Sequence, residues 1–489
     1  MDQYTIEKEK ITSLTLMQRA GNALFNAFIQ SMNPNKATEK IVVLCGPGNN
    51  GGDALVIADL LAKQQYTVTV LMLFSEDKLS EETQSMFDAI KTRVRVIPLN
   101  NDFNKAIKTL IDESHFIIDG MFGIGHLRLI QGTLKEVIAY VNATRAKVVS
   151  IDIPSGLDAT TGLVRGTAIK ADLTLVVQAL KLGNLLHQGL DYSRQNLIVD
   201  AGIDTSLNTT QYEQLLSDTY KNTLPKRAHF SHKYQYGNIL VIGGHVTMPG
   251  APQLAALAAL RSGCGLVSLG VRAQERNYFM STPYEVLVHT YETDVKHLLA
   301  KKTAYIFGPG LGNDTSNTNI LNGLLNDDIP IVIDGDGIKA LKDVTTYNAG
   351  KTIVMTPHIG ELAAFLGKDT KAILENTVEV LRTLTKKHPF WVVLKGPCTL
   401  IAHQGTITFI QAGNPGLAKA GSGDVLSGVI GAFLSRDISV LKALSLAVLI
   451  HGSAADLAQV ADGEDGYLAT DVIEYIPQAL AFYKSSKYT

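Results

Sequence analysis

The chain has 489 residues, of which 46% are hydrophobic and 18% charged. This length and composition predict a globular protein of roughly two to four domains. The 44 basic and 46 acidic residues give a formal charge of −2. So small a net charge gives no electrostatic reason to expect nucleic acid or an anionic membrane as a partner, and we expect neither.

The three cysteines, Cys45, Cys264 and Cys398, are far apart in the sequence and form no CxxC pair. We therefore expect neither a disulfide framework nor a structural zinc site, and a reducing compartment fits. The N-terminal stretch is charged and lacks an uninterrupted apolar core, unlike a signal peptide. No window free of charges reaches the length of a membrane span, so we expect a cytoplasmic protein.

The first half of the chain alternates short apolar segments with segments of helical length, such as DALVIADLLAKQQ at 53–65. This alternation predicts a parallel sheet with helices on both faces. In such a sheet, ligands bind beyond the carboxyl ends of the strands. The predicted strands lie at 41–45, 67–73, 94–99, 115–122, 147–154, 172–178 and 196–202.

The segment GPGNNGGD (46–53) follows a predicted strand and begins a helix. Its glycines allow a tight turn with positive φ. The spacing is not GxGxxG, and no GxxxxGK[ST] occurs in the chain, so the common dinucleotide and P-loop motifs are absent from the sequence. Asn49 and Asn50 place side-chain amides where they suit a ligand or a cation. A simple strand-to-helix turn is the alternative interpretation.

Two later strands are followed by polar segments, DGMFGIGHLR (119–128) and DIPSGLDATTG (152–162). At neighbouring strand ends, Asp119, Asp152 and Ser155 would converge with Asn50. One carboxylate, an amide oxygen, a hydroxyl and backbone carbonyls suit a monovalent or weakly bound divalent cation. The second carboxylate is then free for proton transfer. Taken singly, each aspartate is more often a cap than a catalyst.

Four motifs in order resemble the NAD(P)HX epimerase family, the YjeF N-terminal domain, over roughly residues 1–205. They are LMQRAG (16–21), CGPGNNGGD (45–53), DGMFGIG (119–125) and DIPSGLDATTG (152–162). The resemblance implies an α/β domain with a Rossmann-like three-layer sandwich, which we assign to residues 1–215. Two departures from the family pattern are Ala54, where glycine is usual, and the lack of a proline after the arginine of segment 126–129.

The same resemblance implies roles for individual residues. Potassium would be held by Asn50, Asp119 and Ser155, and Asp152 would be the catalytic acid/base. The residues implied to contact hydrated NAD(P)H are Asn49, Asn50, Gly51, Gly52, Asp53, Gly123, Ile124, Gly125, His126, Leu127, Arg128, Leu129 and Asp152.

A polar stretch then interrupts the alternation, and we place a domain boundary within 204–225, between residues 215 and 216. A second alternation of strands and helices predicts another α/β domain over 216–489. Its predicted strands lie at 238–244, 265–271, 304–310, 330–337, 352–358, 390–396 and 406–411, and its helices at 251–263, 424–435, 440–459 and 471–484.

The segment GNPGLAKAGSGDVLSG (413–428) ends a glycine-rich loop at the start of an apolar helix. One interpretation is capping, with Ser422 as the N-cap and Asp424 offsetting the helix dipole. The other is an anion hole, in which the N–H groups of Gly421, Ser422 and Gly423 hold a phosphate. Asp424 would then take a proton from an attacking hydroxyl.

Motifs throughout the second half resemble the ADP/ATP-dependent NAD(P)HX dehydratase family, a ribokinase-like branch, over roughly residues 225–489. They are MPGAPQLAALAALRSGCGLV (248–267), GPGLG (308–312), TPHIGEL (356–362), KGPCT (395–399) and NPGLAKAGSGDVLSG (414–428). The resemblance implies a ribokinase-like α/β/α domain and favours the anion hole over the cap. The DGDG segment (334–337) replaces the family's usual run, which leaves the roles of Asp334 and Asp336 open.

This second resemblance also implies site residues. Asp424 would be the base, Gly421, Ser422 and Gly423 the anion hole, and Glu361 would help to place Mg²⁺. The residues implied to contact the hydrate are Ala251, Gly312, His358 and Asp424. Those implied to contact the adenine nucleotide are Lys395, Gly396, Pro397, Cys398, Thr399 and Gly423. Taken alone, His358 is more often a loop histidine than a ligand.

Together the two resemblances imply repair of hydrated nicotinamide nucleotides, NADHX and NADPHX. One domain would epimerise the R and S forms. The other would phosphorylate the ring hydroxyl of the S form with ADP or ATP, and elimination would regenerate NAD(P)H. The alternative is a vitamin-precursor kinase fused to a non-catalytic nucleotide-binding module. His358, where such kinases tend to have asparagine, argues against it. We also expect a homo-oligomer, of a size that the sequence does not give.

Overall fold

A computed structural model describes residues 1–99, 102–125, 128–206, 212–344, 346–348 and 350–488, without the side chains of 486–488. The chain divides into two compact units, Met1–Thr210 and Gln211–Thr489. The segment 212–215, which the sequence analysis placed before the boundary, is a strand that pairs with Thr406–Ile410 in the second unit.

The first unit contains one parallel sheet with the strand order β3-β2-β1-β4-β5-β6-β7. Its strands are β1 Lys40–Cys45, β2 Thr67–Met72, β3 Arg95–Pro98, β4 Phe116–Gly120, β5 Lys147–Ile151, β6 Leu173–Val177 and β7 Asn196–Val199. Its helices are α1 Asp2–Glu9, α2 Ser13–Met32, α3 Asn49–Lys63, α4 Glu81–Ile90, α5 Lys105–Asp112, α6 Gly132–Ala143, α7 Leu182–Leu185 and α8 Gly189–Tyr192. The predicted parallel α/β sheet is confirmed.

Both faces of this sheet are buried. Along β1, Ile41 and Val43 pack into one apolar cluster with α2 and α3, whereas Val42 and Leu44 pack into a second cluster on the opposite face. Alternate residues of a strand point to opposite faces, so a strand covered on both sides must be apolar throughout. This requirement explains why these strands appear in the sequence as unbroken apolar runs.

The second unit contains a larger sheet with the order β12-β11-β10-β13-β14-β15-β16-β17-β18-β8. The strands from β12 to β16 pair in parallel, β16, β17 and β18 pair antiparallel, and the edge strand β8 pairs in parallel with β18. The strands are β8 Tyr212–Leu215, β9 Leu224–Lys226, β10 Asn238–Ile242, β11 Leu266–Arg272, β12 Val286–Tyr291, β13 Ala304–Phe307, β14 Ile331–Ile333, β15 Ile353–Met355, β16 Trp391–Leu394, β17 Thr399–His403, β18 Thr406–Ile410 and β19 Lys484–Tyr488. β19 pairs with β9 in a separate ribbon.

Helices cover this sheet and bring the loop 413–421 to its carboxyl edge. They are α9 Gly250–Arg261, α10 Asn317–Leu324, α11 Asp336–Leu341, α12 Ile359–Leu366, α13 Thr370–Leu374, α14 Thr377–Lys387, α15 Ser422–Leu434, α16 Val440–Asp462 and α17 Ala469–Tyr483. α15 packs closely on α9. A Cβ at Gly428 of α15 would lie only 2.1 Å from the carbonyl oxygen of Ala255 in α9. This close approach requires glycine at position 428.

Among the described residues, one helix, α16, is long and apolar enough to cross a membrane by length and composition. Within the structure, 67% of its apolar window is buried. Its residues Leu444, Ala447 and Ile450 belong to the main apolar cluster of the second unit. This burial is typical of a core helix.

Candidate active sites

The potassium ligands implied for the first unit lie together at the carboxyl end of its sheet. Asp119 ends β4 and is fully buried. Its carboxylate accepts hydrogen bonds from Ser150 Oγ at 2.7 Å, Ser155 Oγ at 2.6 Å and Ser155 N at 2.9 Å. Phe122 connects Asn50 to this group, since its carbonyl oxygen accepts from Asn50 Nδ2 at 3.0 Å and lies 3.2 Å from Ser155 Oγ.

This group of atoms fits a monovalent cation. Burial raises the pKa of Asp119, and hydrogen bonds from Ser155, Ser150 and Met121 oppose that rise. All of these donors are neutral. A buried carboxylate is costly unless a charge compensates it, so a cation bound here would supply what the neutral donors do not. Among the described residues, no group of three or more His, Cys, Asp and Glu side chains suits a metal ion.

Asp152 lies at the end of β5 in the left-handed region, with φ 65°. Non-glycine residues adopt this conformation rarely, and such strain is concentrated at functional sites. Its Oδ1 accepts from the backbone N–H of Val177 at 3.0 Å and from the ammonium group of Lys181. Burial raises the pKa of Asp152, and the charge and hydrogen bond of Lys181 oppose that rise.

Lys181 is a residue that the sequence analysis missed. It also donates to the carbonyl oxygen of Val177 at 2.9 Å, which fixes its ammonium group beside Asp152. The segment VVQALKLG (176–183) follows a predicted strand, so a search for charged residues after each strand end would have found it. Burial and then the charge of Asp152 raise the pKa of Asp53 well above its ordinary value. The site therefore contains two neighbouring carboxyl groups, of which Asp152 is paired with a lysine.

The other implied contacts of this unit are placed as follows. Gly51 and Gly52 are buried in the first turn of α3, whereas Asn49 is exposed. Ile124, Gly125, Arg128 and Leu129 are exposed and Gly123 is half-buried. His126 and Leu127 lie outside the described residues. Ala54 is fully buried. A Cβ at Gly120 would lie only 2.4 Å from the Cβ of Ala54, so the lack of a side chain at Gly120 leaves room for the methyl group of Ala54.

In the second unit, α15 begins at Ser422, and its N-cap is Gly421 with φ 93°. The alternative interpretation that Ser422 is the N-cap is wrong on this point, because the left-handed conformation of Gly421 ends the loop one position earlier. Asp424 lies in the first turn of α15, where a carboxylate offsets the helix dipole.

The environment of Asp424 perturbs its ionisation. Burial, followed by the charge of Asp334, raises the pKa of Asp424 to about 7, while Lys395 opposes the rise. A carboxylate with a pKa near neutrality can accept a proton at physiological pH and release it again. Perturbed groups of this kind cluster at functional sites.

Lys395 lies beside the start of α15. A Cβ at Gly423 would lie 3.2 Å from Lys395 Nζ. The ammonium group donates to Asp334 Oδ1 at 2.8 Å and lies 3.6 Å from Glu361 Oε2. Burial lowers the pKa of Lys395, but the charges of Asp334 and Glu361 outweigh it and the net shift is upward. A permanent positive charge thus adjoins the positive end of a helix dipole.

Asp334 is held on both oxygens. Oδ1 accepts from Thr356 Oγ1 at 2.8 Å as well as from Lys395, and Oδ2 accepts from Ser427 Oγ at 2.6 Å. Asp336 accepts the backbone N–H of Gly312 at 2.9 Å. The DGDG segment, whose role the sequence left open, therefore positions one residue implied in nucleotide binding and one implied in hydrate binding.

His358 is the N-cap of α12. Its Nδ1 accepts from the N–H of Gly360 at 3.0 Å and of Glu361 at 3.3 Å, and Glu361 accepts from His358 N at 2.8 Å. Because Nδ1 accepts hydrogen bonds, the neutral imidazole must carry its proton on Nε2. This capping box leaves Nε2 at an exposed edge, 3.6 Å from Glu361 Oε1.

The remaining implied contacts lie in nearby turns. Ala251 is in the first turn of α9, where its Cβ would lie 3.0 Å from a Cβ at Gly310 of the GPGLG segment. Gly396 and Pro397 are exposed, and Thr399 is half-buried. The Cys398 side chain is buried, and burial raises its pKa to about 12.

Two family models match the chain. One, described as NAD(P)H-hydrate dehydratase, matches residues 239–478, and one described as YjeF-related protein N-terminus matches 13–183. The bifunctional NAD(P)H-hydrate repair enzyme of Coxiella burnetii is 32% identical and that of Escherichia coli is also 32% identical. These alignments cover 95% of this chain and 94% of the Coxiella protein, and 94% of this chain and 88% of the Escherichia protein.

A solved structure resembles the second unit. The ADP/ATP-dependent NAD(P)H-hydrate dehydratase of Bacillus subtilis, co-crystallised with ATP and Mg²⁺, superposes with a TM-score of 0.52 at 27% identity. The match covers 56% of this chain and 99% of the Bacillus chain. Both predicted domain types are therefore confirmed, and the chain belongs to the family of bifunctional NAD(P)H-hydrate repair enzymes.

Proposed function

We propose that the unit 1–210 interconverts the R and S forms of NADHX and NADPHX, and that the unit 211–489 dehydrates the S form at the expense of ADP or ATP. This places the functional boundary five residues before the one expected from the sequence. The observation that carries the proposal is the placement of Asp424, with a pKa of about 7, in the first turn of α15, next to Gly423, which the ammonium group of Lys395 approaches.

In the proposed dehydratase reaction, the hydroxyl of the hydrated ring attacks the terminal phosphorus of the nucleotide. Asp424 takes the hydroxyl proton as the new O–P bond forms and the bond to AMP or ADP breaks. The N–H groups of Gly421, Ser422 and Gly423 and the charge of Lys395 stabilise the phosphoryl oxygens, as phosphoryl transfer requires. Phosphate and a ring proton then leave, which regenerates NAD(P)H.

Mg²⁺ would supply further neutralisation of phosphate charge when bound. The carboxylate of Glu361, 3.6 Å from Lys395 Nζ, is the group that would hold it. An acidic oxygen beside the proposed phosphate position suits a hard divalent cation. The B. subtilis relative was co-crystallised with ATP and Mg²⁺, which supports the same requirement here.

In the proposed epimerase reaction, Asp152 is the acid/base: the ring C–O bond breaks and the protonated hydroxyl leaves as water, and a water then bonds to the same carbon from the opposite face and loses a proton. Lys181 holds the carboxylate in position and stabilises its charged form. Asn50, Asp119 and Ser155 would hold K⁺, which would supply a fixed positive charge at this site. The neutral surroundings of the buried Asp119 carboxylate support this assignment.

We also infer that the enzyme acts in the cytoplasm on small molecules, without nucleic acid or membrane partners, as a homo-oligomer. The three cysteines are free and buried, which fits a reducing compartment. The edge strand β7 exposes Leu197 and Ile198, which supports a subunit contact. Size-exclusion chromatography with light scattering tests the oligomer.

One assay tests the central proposal. Hydrated NADH containing both forms is incubated with the protein and either ADP or ATP, and the return of NADH absorbance is followed. Complete conversion without a slow residual half is expected. A persistent slow half would exclude a working epimerase, and no NADH at all would exclude the dehydratase.

A further inference from the structure

A polar pocket of about 120 Å³ lies in the second unit, away from Asp424 and Lys395. Its lining includes His245, Arg272, Glu275, Leu311, Asn313 and Asp314, and we call it the His245–Glu275 pocket. Four segments form it: the loops after β10 and β13, the end of β11, and the 3₁₀ turn Ala273–Phe279. It therefore lies at the carboxyl ends of parallel strands, where α/β proteins bind ligands.

The pocket adjoins residues implied in hydrate binding. Leu311 and Asn313 flank Gly312 in the sequence, and the ring of His245 lies 3.2 Å from where a Cβ at Gly312 would be. Gly310 of the same loop packs against Ala251. A substrate that contacts Ala251 and Gly312 can thus extend into the pocket.

One buried polar atom of the pocket lining, Glu275 Oε2, has no hydrogen-bond partner among the described residues, and neither has the buried hydroxyl of Tyr291 behind the lining. Glu275 is only 6% exposed, and its other oxygen lies 4.0 Å from His245 Nε2. Tyr291 pairs with Arg272 across β11 and β12, so its hydroxyl lies beside the same group of charges. Buried polar atoms in folded proteins are almost always paired, and unpaired ones call for a missing partner.

The bonding of Arg272 indicates what that partner is. Its guanidinium donates to Ser316 Oγ at 3.0 Å and Asn317 Oδ1 at 2.6 Å, and it pairs with Asp314 at 3.1 Å. The arginine is thus committed to the protein. The buried groups that lack a partner are the Glu275 carboxylate oxygen, which only accepts, and the nearby hydroxyl of Tyr291, which is neutral because burial raises its pKa to about 12.

These groups favour a neutral ligand that donates hydrogen bonds. Arg272 contributes one positive charge and Glu275 and Asp314 two negative charges, so a phosphate would be repelled. Vicinal hydroxyls match both an accepting carboxylate and a neutral hydroxyl. We propose that the His245–Glu275 pocket binds ribose hydroxyls of the hydrated dinucleotide, a proposal that rests on the dehydratase function proposed above.

The test compares Glu275→Gln with wild type and with the exposed matched control Glu285→Gln. Glu275→Gln keeps the size of the side chain but replaces a charged acceptor by a weaker one. The KM for NADHX should rise roughly 10-fold or more, because hydrogen bonds to charged groups are the stronger ones. The value of kcat, the KM for ATP and the melting temperature should stay near those of wild type. The control should change none of these quantities.

Tyr291→Phe provides a second variant that removes only the unpaired hydroxyl. It should raise the KM for NADHX roughly 2- to 10-fold without lowering the melting temperature. A purely structural carboxylate or hydroxyl would instead lower the melting temperature and leave the KM unchanged. A KM for NADHX within twofold of wild type in both variants would overturn the proposal.

Two substrates distinguish the two riboses. Hydrated reduced nicotinamide mononucleotide lacks the adenosine half, so a KM penalty of Glu275→Gln that persists on it assigns the pocket to the ribose on the nicotinamide side. A penalty that disappears assigns it to the adenosine ribose, and NADPHX, with its extra phosphate, should then be a poorer substrate than NADHX. Wild-type turnover of NADHX, measured in the same assay, separates failure of this pocket from failure of the dehydratase function. An inactive wild type would overturn both.

Discussion

Lys395 and Asp334 form an ion pair between a half-buried lysine and a buried carboxylate, with 2.8 Å between Nζ and Oδ1. The pair joins the end of β16 to the end of β14 and holds the ammonium group against Gly423 at the start of α15. Ser427, in the second turn of α15, fixes the other oxygen of Asp334. The position of the positive charge is therefore set by three elements that are far apart in the sequence.

The first prediction concerns Asp424→Asn. If Asp424 is the general base, dehydratase kcat should fall roughly 10²- to 10⁴-fold, because the variant keeps the size of the side chain but cannot accept the proton. Nucleotide affinity should change little, since the backbone N–H groups remain. Turnover, nucleotide binding and melting temperature are measured on the one variant. Near-normal turnover would exclude the catalytic role.

The pH dependence of dehydration follows from the same carboxylate. With a pKa of about 7, Asp424 loses its basic form as the pH falls below 7, so kcat/KM should drop on the acid side and level off above neutrality. The residual activity of Asp424→Asn should lack this limb. A wild-type profile that is flat between pH 5.5 and about 8 would contradict the assignment.

As the pH rises towards 7, dehydratase activity should increase, whereas the contribution of Asp424 to the stability of the folded state should decrease. The folded pKa of Asp424, about 7, lies above the ordinary value of 3.8, so the folded state holds an extra proton between these values. The contribution of Asp424 to the free energy of unfolding is fully present below the unfolded pKa and is lost as the pH rises through 7. Asp424→Asn should remove this loss, so its melting temperature relative to wild type should increase from acid to neutral pH. An unchanged difference would contradict the raised pKa.

The ion pair itself is tested with Asp334→Asn and Ser427→Ala. In Asp334→Asn the carboxylate charge is lost, so Lys395 should no longer be held beside the start of α15. The nucleotide KM should rise and kcat should fall, and kcat/KM should decrease about 10- to 100-fold, because a positioned positive charge is lost. Removing one partner of a buried pair costs about 3–5 kcal/mol in the free energy of unfolding, so Ser427→Ala serves as the milder variant. It should lower kcat/KM less, with the fold retained. Asp343→Asn, at an exposed position, is the control and should leave kcat/KM unchanged. Equal effects of all three variants on kcat/KM would argue against a role of Asp334 in positioning Lys395.

In the first unit, Asp152→Ala should abolish epimerisation while dehydration of the S form stays near normal. Each unit has its own apolar core, so the two activities should separate. Loss of both activities in a folded Asp152→Ala protein would refute independent sites.

Lys181→Met should reduce epimerisation and shift its pH profile upward, because the lysine charge opposes the rise in the pKa of Asp152.

Potassium is tested without relying on turnover alone. Melting temperature and epimerase activity should rise with K⁺ and less with Li⁺, because a ligand that binds only the folded state stabilises it. Asp119→Asn should abolish this dependence, and exposed Asp112→Asn should retain it. A wild-type melting temperature independent of K⁺ would contradict a cation at Asp119.

Much of the fold was determined by the sequence. The apolar runs at 41–45 and 238–244 predicted buried parallel strands, because a strand covered on both faces needs apolar residues throughout. The glycine-rich segments placed turns at strand ends, and the strand ends placed Asn50, Asp119 and Ser155 near one another. Strand Tyr212–Leu215 was missed, because short polar edge strands owe their order to hydrogen bonds with a distant partner, here Thr406–Ile410.

Only the tertiary structure decided the partners of the charged groups. Lys181 and Asp152 are 29 positions apart, and Lys395 and Asp334 are 61 apart, so no local pattern joins them. The sequence allowed Ser422 to cap α15, but the positive φ of Gly421 placed the cap one residue earlier. The ionisation of Asp424 likewise depends on burial and on three charges from other elements, since electrostatic energy follows distance in space and not separation along the chain.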